Sequence, residues 1–139
     1  MTGYSGTPLA RKLGIKENQR IALINAPQTF QEELGSLPAG AVVVARSQSS
    51  LNLILFFAAS HAELKKNFAK LKARLIPNGM LWVAWPKKNS GVKTDLSFEV
   101  VQRAGLEAGL VDTKICAVND VWSGLRFVIR LKDRPPSIS

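Results

Sequence analysis

Residues 51–59, LNLILFFAA, form a nearly unbroken apolar run of strand length. A strand with one wet face alternates apolar and polar residues, whereas a run like this one fits a strand covered on both faces, as in a parallel sheet flanked by helices. The next four residues, Ser60-His61-Ala62-Glu63, match a capping box. In that motif the Ser60 hydroxyl takes an amide of the first helical turn and Glu63 reaches back to the amide of Ser60 itself. Leu64, Phe68, Leu71 and Leu75 then recur at helical spacing while Lys65, Lys66, Lys70 and Lys72 fill other positions. This predicts a helix with a core stripe and a basic, wet face. Pro77 and Gly79 of IPNG are expected to end it.

The flanking segments repeat this alternation. Thr7 reads as an N-cap and Pro8 as the first helical position of a short helix carrying Leu9 and Leu13 on one face, with Gly14 as its stop. RIALINA reads as a strand, PQTFQEELGSL as a short helix with Phe30 and Leu34 on one side, and AVVVA, residues 41–45, as a short strand. Further on, MLWVAW, residues 80–85, predicts a strand, and Asp95 an N-cap with Glu99 in the first turn of the next helix. Val100, Val101, Ala104 and Ala108 give that helix its apolar side, and Gly109 closes it. LVDTKICAV and LRFVIRL are two strands joined by NDVWSG, too close for a crossover helix, so they should pair antiparallel. One spacing resists the pattern. Only RSQSS separates AVVVA from LNLILFF, whereas a parallel crossover needs a dozen residues or more. Either AVVVA is a short edge piece or a strand–helix unit is missing, and a trimmed sheet of five or six strands is expected.

A chain of 139 residues with 46% hydrophobic content fits one domain, residues 1–132, with KDRPPSIS contributing a disordered polar tail over 133–139. One cysteine and one histidine leave no disulfide pair and no metal-ligand cluster. No apolar run approaches the roughly twenty residues that span a bilayer, so the expected setting is soluble and cytoplasmic, with no membrane partner. The net charge of +9 raises affinity for phosphates and makes nucleic acid a candidate partner. The lysines and arginines are nonetheless spread along the chain, without a recognisable nucleic-acid-binding motif.

Strands alternating with helices and closing on an antiparallel pair resemble the class I methyltransferases, and LKARLIPNGMLWVAW is similar to the helix, turn and strand of their second half. The resemblance implies a trimmed Rossmann-like, methyltransferase-like three-layer α/β sandwich, its mostly parallel sheet of five or six strands ending in an antiparallel hairpin. YSGTPLARKLGI, LWVAWPKK and WSGLRFVIR also resemble a family of small bacterial proteins designated a domain of unknown function, a likeness that carries no activity with it.

In such a sheet a ligand lies beyond the carboxyl ends of the strands, where the strand order reverses. The residues expected on that rim are Asn25, Arg46, Ser60, His61, Trp85, Lys87 and Lys88. A phosphate loop uses glycine so that the backbone can approach and its amides can point at the ligand. Here the turn is Asn25-Ala26-Pro27, which adds a Cβ and removes an N–H. The methyltransferase resemblance further implies an acid after the second strand for the ribose of S-adenosylmethionine, and Arg46 falls there instead. No cofactor is therefore expected, S-adenosylmethionine being the alternative. His61 as an acid or base and Cys116 as a nucleophile both have blander readings, an exposed first-turn residue and a small core residue. Trp85, Lys87 and Lys88 make WPKK the best candidate for a loop that binds an anionic small molecule or a partner protein. The leading reading is a non-catalytic methyltransferase-like domain; a methyltransferase with an atypical loop and a nucleic-acid-associated basic protein are the alternatives.

Overall fold

The computed structural model describes residues 8–45 and 47–134. Among these residues six strands form a single sheet: β1 (Arg20–Ile24), β2 (Val42–Val43), β3 (Leu51–Phe57), β4 (Leu75–Pro86), β5 (Leu110–Ala117) and β6 (Trp122–Ile129), in the order β2-β1-β3-β4-β6-β5. The pairs β1–β2, β1–β3 and β3–β4 are parallel, and β6 is antiparallel to both β4 and β5. The chain therefore reverses its direction of travel at β1, with β2 on one side and β3 on the other. The fold is the expected three-layer, mostly parallel sandwich.

Helices α1 (Leu9–Leu13) and α2 (Phe30–Leu34) cover one face, where Leu53, Leu55 and Phe57 of β3 meet Trp82 and Ala84 of β4. On the other face α3 (His61–Lys72) and α4 (Phe98–Glu107) lie over Ile54, Phe56, Leu81, Val83, Leu125 and Phe127. Strict alternation of neighbouring residues between the two cores is the geometric meaning of the apolar run in β3. Two contacts tie helices to the sheet. The Trp82 indole N–H donates to the Leu13 carbonyl at 2.8 Å, so a fully buried indole is satisfied by the end of α1. Phe68 of α3 meets Phe127 of β6 edge-to-face, with centroids 5.5 Å apart.

Several expectations move by a residue or more. Pro8 sits at the N-cap position of α1, outside the first turn, and Thr7 lies outside the described residues; Gly14 closes the helix in the left-handed conformation as expected. Helix α3 ends at Lys72, so Leu75 belongs to β4, and Pro77 and Gly79 interrupt the strand and not the helix. Leu51 pairs with Leu75 but Leu53 with Met80, so Ile76 to Gly79 bulge out of the ladder. There the missing N–H of Pro77 breaks no bond. The N-cap of α4 is Ser97, whose hydroxyl accepts from the Val100 amide at 3.3 Å, and Asp95 turns elsewhere. Residues 122–124, expected in the turn, are the first part of β6. Residues 135–139, most of the expected tail, lie outside the described residues, and Leu131–Asp133 forms a 3-10 turn.

The free edge β5 carries Val111 and Ile115 exposed, but Thr113 is an extra residue in its ladder with β6, between Asp112 and Lys114. That bulge places Val111 and Ile115 on opposite faces and twists the edge, which protects it against pairing with another strand. Helix α4 packs against β6 at Gly105, where a Cβ would run into the Phe127 ring. Gly105→Ala is expected to cost about 1–3 kcal/mol through overpacking, read as a lower urea midpoint with an unchanged slope.

Candidate functional site

The carboxyl ends of β1, β3 and β4 lie side by side, and their loops build the rim. After β1 the chain turns at Asn25, a non-glycine residue at φ 58°. The Asn25 amide group donates to the Glu63 carboxylate at 3.2 Å. Its neighbours fold locally, the Phe30 amide bonding the Pro27 carbonyl at 2.9 Å to open the single turn and a half of α2. After β3 the chain enters α3 through its cap. The Ser60 hydroxyl accepts from the Glu63 amide at 3.1 Å, as expected of the box. The return bond differs: Glu63 accepts from the amide of Ala59, one residue before the cap. Its two oxygens thus join β1 to the end of β3 across the switch point.

After β4 the Lys87 amide donates to the Val121 carbonyl at 2.8 Å, tying the WPKK loop to the β5–β6 turn. A 3-10 turn, Lys88–Ser90, follows and is held by the Ser90 hydroxyl on the Lys87 carbonyl at 2.7 Å. The chain then comes back over the end of β3. Thr94 donates its hydroxyl to the Ala59 carbonyl at 2.6 Å, and the Asp95 carboxylate accepts the His61 amide at 2.8 Å. Asp95 therefore acts as a tertiary cap for α3 and not as the cap of α4. Two first-turn amides of α3 are covered by side chains, that of Glu63 by Ser60 and that of His61 by Asp95, while Glu63 takes the preceding amide of Ala59; a carboxylate there is favoured by the helix dipole.

This arrangement sorts the candidate residues. Ser60 and Lys88 line one cleft of about 690 Å³, together with Lys93, Thr94, Asp95 and Val92. His61 is half-buried and lines a neighbouring cleft of about 380 Å³ with Lys65, Asp95, Arg103 and Glu107. Asn25 reaches Ser60 only through Glu63. Lys87 is half-buried with its backbone engaged, and Arg46 lies outside the described residues. Trp85 corrects the expectation of an aromatic ligand face: it is 6% exposed and packs into the core beneath α3 and α4. The half-buried aromatic near the rim is Trp122, opposite Pro86 in the ladder and edge-to-face on Phe57 with centroids 5.0 Å apart.

Sequence reasoning missed Lys93 and Asp95 at the first cleft and Lys65 and Arg103 at the second. Nothing local marks them, because Asp95 and Arg103 reach α3 only through the packing of α4. Away from the rim, Cys116 is half-buried against the α1–α2 core. Burial pushes its thiol up, and the charges of Lys12, Lys114 and Arg126 offset this only in part. Among the described residues no group of three or more His, Cys, Asp or Glu could hold a metal ion, and no helix is long and apolar enough to cross a membrane.

The chain superimposes on solved structures at low sequence identity. A SAM-dependent methyltransferase from Aquifex aeolicus superimposes with a TM-score of 0.65 at 12% identity, over 87% of this chain and 88% of that one. The fold is methyltransferase-like. A precorrin-6y C5,15-methyltransferase from Geobacter metallireducens gives 0.64 at 8% identity over 88% and 86%, and the fibrillarin pre-rRNA processing protein of Methanococcus jannaschii 0.63 at 10% identity over 88% and 69%. No family model and no curated protein matches the sequence. In this methyltransferase-like chain a nucleophilic cysteine would need a lowered pKa. Cys116 is instead expected to be alkylated by iodoacetamide more slowly than an open thiol at about pH 8, and at the open-thiol rate once the chain is unfolded in urea.

Proposed function

We propose that the chain is a non-catalytic methyltransferase-like domain that binds an anionic ligand on the rim beyond β3 and β4. The observation that carries this reading is the convergence of Lys88 and Lys93 on one cleft with Ser60. Both lysines are exposed, and among the described residues neither is held by an ion pair or hydrogen bond. The one carboxylate lining that cleft, Asp95, is turned onto the His61 amide. Ammonium groups left unpaired beside a helix N-terminus favour phosphate or carboxylate.

S-adenosylmethionine is the group this fold implies, and the residues after β1 do not fit it. A nucleotide site in such a sheet needs close backbone approach and free amides at the start of the first crossover helix. Ala26 presents a Cβ, Pro27 has no N–H, the Phe30 amide is spent on Pro27, and α2 is only five residues long. The Asn25–Glu63 bond crosses the crevice between β1 and β3 where the ligand of a complete site would lie. On the β2 side Val44, Ala45 and Ser47 offer no carboxylate for a ribose. The methyltransferase alternative draws on the solved structures of like fold, which are named for that activity.

Calorimetry separates the two. Pyrophosphate should bind at low salt, and Lys88→Ala with Lys93→Ala should weaken it about tenfold or more, equivalent to about 1.4 kcal/mol. S-adenosylmethionine should give no heat. Micromolar S-adenosylmethionine binding that is lost in Ala26→Leu would sink the non-catalytic reading, as would pyrophosphate binding indifferent to both lysines.

A further inference from the structure

Asp95 lines both the rim cleft and the groove between α3 and α4, so the two clefts meet at that residue beside the start of α3. Lys88 and Lys93 stand on the rim side of Asp95, Lys65 and Arg103 on the helix side. Lys65 follows His61 by one turn on the same face of α3, about 6 Å further along that helix. All four cations are exposed, and among the described residues none is tied up by a hydrogen bond or an ion pair. Against them stand two carboxylates. Asp95 is engaged by the N-terminus of α3, and Glu107 closes the far end at the last turn of α4.

Resting on the rim reading above, we infer that the ligand is a linear chain of phosphates that runs from Lys88 and Lys93 past His61 to Lys65 and Arg103. A single phosphate on one side of Asp95 is met by one pair of cations and leaves the other pair unused, whereas a chain takes both. Among the described residues no Phe, Tyr or Trp lines either cleft, so these residues offer no stacking platform for bases, and binding would follow the phosphates without reading sequence. A single-stranded nucleic acid and inorganic polyphosphate share this chemistry.

The test is fluorescence anisotropy with a labelled oligothymidylate of about twelve nucleotides, titrated between about 50 and 200 mM salt. Four phosphate contacts predict a slope of log K against log salt of about −3, and Lys65→Ala with Arg103→Ala should reduce it to about −1.4. Competition by inorganic polyphosphate at equal phosphate would identify the bare phosphate chain as sufficient; a polyphosphate that fails to compete would assign the site to a nucleic-acid strand. An unchanged slope in the double variant, or no association at about 50 mM salt, overturns the inference. If pyrophosphate still binds through Lys88 and Lys93 while the oligomer gains nothing over it, only the extension fails. If pyrophosphate binding is also missing, the rim reading falls with it.

Discussion

The pairing of β3 with β4 is the constraint on which the rest of the structure hangs. From Leu53↔Met80 to Phe57↔Ala84 the two strands run in register, and Leu53 to Phe57 and Leu81 to Trp85 are all buried. Two strands covered on both faces cannot slip by one residue without sending every side chain to the opposite core. That fixed register brings the ends of β3 and β4 to one level, so Ser60 and Lys88 open onto the same cleft. It also places Trp82 on the α1 side and Trp85 on the α3–α4 side. The burial of Trp85 is thus a consequence of the pairing that builds the rim, and an aromatic at that position cannot serve both the core and a ligand.

The short link between the second and third strands, which no ordinary crossover would allow, has a geometric answer. Strands β2 and β3 are not neighbours; each pairs with β1, on opposite edges. Val43 and Leu53 are both opposite Ile21, so the chain leaves β2 and re-enters β3 at nearly the same height. It needs only to turn back past the start of β1. Arg20 marks that passage: its amide donates to the Asn52 side chain at 2.8 Å and its guanidinium to Gln48 at 3.0 Å. The half of the sheet beyond the switch point therefore has two strands, where the doubly wound order has three. Both sequence-level explanations, a short edge piece and a trimmed unit, describe this one arrangement.

What was legible in the sequence follows the range of the interactions involved. The apolar run of β3, the Ser60 cap, the stripe Leu64, Phe68 and Leu71, and the antiparallel close all depend on neighbours within a turn or on the burial of an entire strand, and periodicity reports both. The misplaced features depend on distant partners. Asp95 had every local mark of an N-cap, yet its carboxylate goes to His61, 34 residues away, and Ser97 caps α4. Pro77 and Gly79 look like helix stops, but α3 had already ended at Lys72, and the two residues fall in a strand bulge where they cost nothing. Trp85 was indistinguishable from a rim aromatic because pleat direction, and not composition, decides which face a residue takes.

The self-capping of α3 decides which charges remain for a ligand. A helix start at the switch point of an open sheet is ordinarily the place that holds a phosphate, because its amides are unspent. Here Ser60 and Asp95 satisfy two of them and Glu63 takes the preceding amide of Ala59, while the other Glu63 oxygen holds Asn25. Two carboxylates stand where a ligand's anion would stand in a cofactor site. On the reading proposed above, attraction for an anion is displaced outward, from backbone amides that fix one phosphate in one geometry to the lysines and the arginine that line the two clefts. Such side chains lose more rotamer freedom on binding and discriminate less by shape. If these side chains bind the proposed ligand, repeated charge suits them better than a single nucleotide held in one pose.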